Sequence, residues 1–395
     1  VRKHDNIRAE FPLARWSASP VFVGLAVGAV VGPAGLRLLE PHVLEDSELV
    51  ESVSQLALLV SLFCVGLRLR VPLEWHCWRM PLRLSTVSFL VLATLAAALA
   101  HVLFDVSFSQ ALLLGAVLGP TDAVLASDIH VPVDGEQDSV PFVLAAEGAL
   151  TSGLAPPLVA VMLGLGGGAG SGALGSVAGL AVWSIIGGLV IGWLIGVAMA
   201  RWITLLDSDR QGDMLEEMIV FATAALAYTC ALAVRAEGML AVFAAGLALS
   251  HGGRLRRTVV RKYTLGPRVL RFAGRVERFA AIVVMVLLGA LVASVELRFR
   301  MLVFAVALLA LLRPLTARLG LGGLAVATGP RRTLEWFGAR GAAALYCLAL
   351  VINHGLESPF AHEMAAITLV VIVTSIFMSA VSALSLRRAS PGALW

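Results

Sequence analysis

Charge is what this 395-residue chain has least of. Asp, Glu, Lys and Arg make up only 14% of it, against roughly 25% in soluble proteins. Hydrophobic residues make up 59% and the mean hydropathy is +0.89, which excludes a soluble domain of this length. Cysteine is scarce too. Cys64, Cys77, Cys230 and Cys347 are scattered without metal-ligand spacing, and Cys64, Cys230 and Cys347 fall inside apolar runs. They read as small core residues rather than as a disulfide set or a metal site. No nucleophile–base set, metal cluster or phosphate-binding loop is present, so nothing points to bond-making chemistry, to an enzyme or to a cofactor. The net charge of +4 resides in loops and carries no nucleic-acid signal. The chain opens on Val1 with Arg2, Lys3, Arg8 and Arg15 ahead of any apolar run. This is not the build of a signal peptide, and a trimmed N-terminus is expected.

What the chain has is apolar runs. Membrane helices need about 20 apolar residues, fewer where they are broken. Twelve spans are expected, near 20–39, 49–67, 82–104, 109–127, 140–163, 173–203, 217–234, 238–250, 279–295, 300–318, 333–351 and 363–386. Between the fifth and sixth, the glycine-rich stretch 164–172 reads as a flexible linker.

Loop charge sets the expected orientation. On the side of the N-terminus the loops hold Arg68, Arg70, Arg79 and Arg83, then a basic run from Arg254 to Arg275, then Arg331 and Arg332, then Arg387 and Arg388. The opposite loops hold chiefly Arg235, Arg298 and Arg300. By the positive-inside rule both ends of this chain are cytoplasmic. The acidic loop with Asp134, Glu136 and Asp138 on the same side does not break the rule, because acids count little in it. The basic run 254–275 reads first as a topogenic signal in contact with anionic membrane lipid, and second as a regulatory arm.

Four charges stand inside the apolar runs: Asp122 in Gly119-Pro120-Thr121-Asp122, Glu147 in the stretch that runs to Leu163, and Arg313 and Arg340. A charge at membrane depth costs several kcal/mol unless it is paired or lines a wet cavity, so it points to ion or proton handling. Pro120 removes an amide donor and weakens its helix mid-membrane. Transporters use the termini and free carbonyls of such broken helices as ion ligands.

In their order and spacing these residues resemble the monovalent cation/proton antiporter family, the bacterial sodium/proton antiporters and sodium–hydrogen exchangers. The family's Thr-Asp in one broken helix is matched by Thr121-Asp122. Its acidic helix, Glu-x-x-x-Asn-Asp-Gly, is matched by Glu147 and Gly153, its Arg-Pro by Arg313-Pro314, and its second broken helix by Arg340-Gly341. Gly32-Pro33, Gly66-Leu67-Arg68, Leu240 to Gly246, Trp336 to Gly341 and Thr374-Ser375 also fit, so the likeness covers nearly the whole chain. The family's thirteen helices less the first leave twelve spans and an inside N-terminus. The Asn-Asp pair before Gly153, whose aspartate the family uses for cation and proton, is Thr151-Ser152 here.

The resemblance implies an all-α polytopic inverted-repeat fold with two broken, crossing helices. Residues 82–163 and 300–386 would form an ion-transport core, and 20–67 and 173–295 a scaffold that makes a homodimer. It implies electroneutral exchange of Na+, or K+ or Li+, for H+ by alternating access, in a bacterial inner membrane. The departure at Thr151-Ser152 keeps a second reading open, a non-transporting sensor or regulatory subunit, or a homologue whose substrate has changed. Asp122 is expected to exchange proton and cation, helped by Thr121, Thr151 and Ser152; the alternative for Asp122 is a helix cap, and for the two hydroxyls plain packing. Glu147 and Arg313, paired by the resemblance, are expected to form a structural ion pair, since each alone in a low-dielectric bundle is costly. Proton carriage by Glu147 is the alternative. Arg340 is expected to offset helix C-terminal dipoles where the broken helices cross, or else to snorkel to the surface near Glu335. His101, His251 and His354 sit at span ends and read as interfacial. Trp183, Trp193 and Trp202 read as interface anchors or dimer contacts.

Overall fold

The computed structural model describes residues 20–122, 140–166, 171–206, 213–252, 267–293, 295–324, 326, 328–355 and 358–389, and these are almost entirely helical, with no strand among them. The helices are α1 (Pro20–Val31), α2 (Ser47–Arg68), α3 (Trp75–Phe104), α4 (Phe108–Leu118), α5 (Val140–Gly166), α6 (Ser171–Leu206) and α7 (Asp213–Ala233). There follow α8 (Gly238–His251), α9 (Pro267–Val292), α10 (Phe299–Gly320), α11 (Thr328–Trp336), α12 (Ala342–Asn353) and α13 (Ser358–Ala389). Six are long and apolar enough to cross a membrane, and the chain is an integral membrane protein. The acidic loop with Asp134, Glu136 and Asp138, and residues 254–266 of the basic run, lie outside the described residues.

Several boundaries differ from the expected spans for local reasons. α1 stops at Val31, where Gly32 and Pro33 end it, and the chain is irregular from there to residue 46. The glycine-rich stretch is helical at both ends, as far as Gly166 and again from Ser171. The apolar run 109–127 is helical only to Leu118. Its start is set by a capping box: Ser107 Oγ accepts from the Gln110 amide at 3.4 Å, and the Ser107 amide donates to Gln110 Oε1 at 3.1 Å. The run 333–351 is two helices, α11 and α12, with residues 337–341 non-helical between them.

Helices α3 and α10 each carry a five-residue π turn, at Leu84–Ser88 and Leu308–Leu312. Such turns are rare and displace the backbone ladder. Here the two helices meet beside them, with Ser88 Oγ donating to Thr316 O at 2.8 Å. On the other side of the molecule α6, α7 and α2 pack around α8. Gly192 and Gly196 of α6 allow the closest approach, because a Cβ at either position would lie 2.0 and 2.4 Å from the carbonyl oxygens of Ala241 and Ala245. Of the six long apolar helices, α13 is the most enclosed and α6 the least, with 67% and 22% of their apolar stretches buried. The outer face of α6, with Leu180, Trp183, Ile186, Val190 and Leu194 exposed, therefore faces lipid or a partner.

Candidate functional site at the crossing of two broken helices

Two helix ends converge near the middle of the bundle. α4 ends at Leu118, and Pro120 does not continue it, so residues 119–122 leave as non-helical chain. From the other direction residues 337–341 are non-helical before α12 begins at Ala342. The two segments are stitched to each other. The Asp122 amide donates to Ala339 O at 2.9 Å, the Ala342 amide donates to Asp122 Oδ2 at 2.7 Å, and Arg340 Nη1 donates to Pro120 O at 3.2 Å. Asp122 thus caps the N-terminus of α12, where the helix dipole favours negative charge. The half-helix expected after Asp122 lies outside the described residues.

Arg340 is fully buried, at 0% exposure, so it does not snorkel. Its guanidinium donates to the Pro120 carbonyl in the non-helical segment that follows α4. Ser375 of α13 anchors its backbone, accepting from the Arg340 amide at 2.9 Å and donating to Arg340 O at 3.1 Å. Glu335, the surface partner considered for Arg340, is instead buried between Arg318 Nε at 2.9 Å and Arg331 Nε at 3.1 Å.

α5 supplies the third wall. Glu147 Oε1 lies 2.8 Å from Arg313 Nη2, with both side chains buried. The same Nη2 donates to Phe337 O at 3.2 Å, tying α10 to the non-helical segment before α12. One turn on, Thr151 Oγ1 accepts from the Thr121 amide at 3.2 Å, lies 3.1 Å from Thr121 Oγ1 and lies 2.9 Å from Glu147 O. Ser152 Oγ donates to Thr121 O at 3.2 Å. Both hydroxyls therefore address the backbone at the break in α4. All seven residues singled out from the sequence lie buried in this region. Between them is a cavity of about 10 Å³, lined by Thr121, Asp122, Leu144, Glu147, Arg313, Phe337, Gly338 and Ala339. That is about the space one water needs. Thr151 and Ser152 are next to it without lining it.

Two acids are buried that the sequence reading did not place in the interior. Glu277 on α9 is paired with Arg68, and Glu335 is held as described. Each lies in a segment whose flanking arginines made it read as loop-proximal, and burial was the missing signal. His251 is buried too, with Nε2 2.9 Å from Val71 O and Nδ1 2.9 Å from Leu247 O. Trp183 and Trp202 are half exposed to the surroundings of α6. Gln55 Nε2 of α2 donates to the Tyr228 hydroxyl of α7 at 2.9 Å and approaches that of Tyr346 of α12 at 3.5 Å, a polar contact that hydropathy gives no means of locating.

Among described residues no group of three metal-ligating side chains could hold a resident metal ion. No curated protein sequence matches the chain significantly. Among solved structures, its fold is shared with the sodium proton antiporter MjNhaP1 from Methanocaldococcus jannaschii at pH 8: TM-score 0.73, 19% identity, 91% of this chain and 92% of that one covered. A second structure of MjNhaP1, an electron-microscopy map, is similar at TM-score 0.73 and 20% identity, with 97% and 93% covered. The antiporter fold, with its two broken, crossing helices, is thus that of this chain. The family model described as "Sodium/hydrogen exchanger, transmembrane" matches residues 9–384, and the chain belongs to that family.

Proposed function

We propose that the protein exchanges a monovalent cation, Na+ before K+ or Li+, for H+ across a bacterial inner membrane by alternating access. Asp122 is the exchanging group. A carboxylate at a helix break holds either a proton or a hard cation, so the two compete for it. The observation that carries the reading is the position of Asp122, buried at the crossing of two interrupted helices and lining a cavity. Thr121, Thr151 and Ser152 shape the backbone around it, the Glu147–Arg313 pair clamps α5 to α10, and Arg340 offsets the carbonyl ends at the crossing. With one exchanging carboxylate, one monovalent cation replaces one proton and no net charge moves.

In this proposal residues 82–163 and 300–386 form the moving core. Residues 20–67 and 173–295 form the scaffold, which associates as a homodimer in contact with membrane lipid, and both ends of this chain are cytoplasmic. The test is proton flux in proteoliposomes on adding Na+, Li+ or K+, with the membrane potential clamped at several values. Cation-driven flux without current supports the proposal; a current that scales with transport removes electroneutrality. A folded protein without flux for any cation supports the second reading, a non-transporting relative acting as a sensor or regulatory subunit. The feature favouring that second reading is Thr151-Ser152, where the family has its Asn-Asp.

A further inference from the structure

We propose that Glu147 is a second ligand of the transported cation, completing with Asp122 a two-carboxylate site in a chain that has a serine where its relatives place an aspartate. The inference rests on the antiport reading and adds a ligand to it. Asp122, in the segment after α4, and Glu147, on α5, line one cavity. Glu147 uses only half of its carboxylate in the contact with Arg313: Oε1 holds the guanidinium, and Oε2 is fully buried with no hydrogen-bond partner among the described residues. A buried carboxylate oxygen left without a donor forfeits its hydration for nothing, so such atoms call for an unseen partner. Carboxylate oxygens are the ligands that hard cations select.

Charge points the same way. Four ionisable side chains meet at the crossing, Asp122 and Glu147 against Arg313 and Arg340. Were Asp122 the sole anionic ligand, with Glu147 wholly committed to Arg313, an entering cation would face the uncompensated pull of one carboxylate against Arg340. Sharing Glu147 between Arg313 and the cavity gives the cation two anionic oxygens instead. The residue at the family's acidic position does not compete for this role. Ser152 Oγ donates to Thr121 O, and Ser152 does not line the cavity.

The experiment is direct cation binding, read apart from transport. Thermal unfolding of the purified full chain is followed while NaCl, LiCl or KCl is titrated against choline chloride at constant ionic strength. The parent protein is expected to show saturable stabilisation by at least one cation. The double variant Glu147→Gln with Arg313→Gln removes both charges of the pair, leaves the charge sum at the crossing unchanged, and strands no buried ion. It is expected to bind that cation at least tenfold more weakly. Parent-like affinity in the double variant overturns the inference and leaves the antiport reading standing, since Glu147 would then serve Arg313 alone. Should the double variant not fold, Glu147→Asp carries the test: it keeps the charge but withdraws the carboxylate by one methylene. It is expected to lose affinity tenfold or more, and unchanged affinity overturns the inference. A parent protein that responds to none of the three cations overturns the antiport reading itself, and this site with it.

Discussion

Arg313 lies across Gly338. A Cβ on residue 338 would stand 2.7 Å from Arg313 Nε and 3.3 Å from its Cδ, so the arginine reaches Glu147 and Phe337 O only because residue 338 has no side chain. Gly338→Ala is therefore expected to push the guanidinium out of place and cost about 1–3 kcal/mol, the range for overpacking a close-packed site. Thermal unfolding in detergent reads this, and an unchanged melting temperature would mean that Arg313 has room to move aside.

Removing one partner of the buried pair is expected to cost more. Glu147→Gln leaves Arg313 charged at 2% exposure, and stranding a buried ion costs about 3–5 kcal/mol. The neutral double variant should recover much of that stability. If Glu147→Gln alone is as stable as the parent, the pair contributes nothing to the fold.

Asp122→Asn separates folding from transport. The amide oxygen of asparagine can still accept the Ala342 N–H that Asp122 Oδ2 accepts at 2.7 Å, so the cap on α12 is expected to survive. Cation-coupled proton flux in proteoliposomes should vanish while the melting temperature stays within a few degrees. Retained flux would show that Asp122 is not the exchanging group.

Ser375→Ala tests the anchor of Arg340. The Arg340 amide would lose its acceptor at 2.9 Å in a region closed to water, and an orphaned buried donor costs about 1–3 kcal/mol. Ser375→Cys, which keeps a weak hydrogen-bonding group there, is expected to lose less. Equal stability of both variants and the parent would show that another group supports this backbone.

A pH dependence follows from Glu237, half-buried in the connection between α7 and α8, where it accepts from the Met239 amide. Burial raises its carboxyl from the ordinary 4.5 to about 7. Between those values the unfolded chain has released the proton while the folded chain keeps it, so stability falls as pH rises from 4.5 towards 7 and is level above. Glu237→Gln, which can still accept from Met239, should be more stable than the parent at pH 7.5 and lack that decline. Parallel pH profiles for the two proteins would rule out Glu237 as its source.

Parts of this were readable from the chain because they are local. Gly119-Pro120 and Gly32-Pro33 mark the ends of α4 and α1 because glycine and proline together disfavour the next turn, whereas Pro81, Pro156 and Pro157 stay inside their helices. The end of α1 was nevertheless placed eight residues late, since the residues after Val31 include enough leucine to keep a hydropathy window high. The burial of Glu277 and Glu335 was missed for the converse reason. Windowed charge around them is high, so they read as surface residues, whereas the fold brings Arg68, Arg318 and Arg331 to them and closes over the pairs.

The sequence by itself determined that the chain lives in a membrane, roughly where it crosses, where two crossings are interrupted, and that four charges are carried inside. Each of these depends on residues that are neighbours along the chain. Only the tertiary structure decided which groups meet. Asp122 caps a helix that begins 220 positions later, Ser152 turns its hydroxyl to a carbonyl 31 positions away, and Glu147 and Asp122 come to line one cavity. Those relations depend on how distant helices pack, and hydropathy, which sums over contiguous residues, holds no information about them.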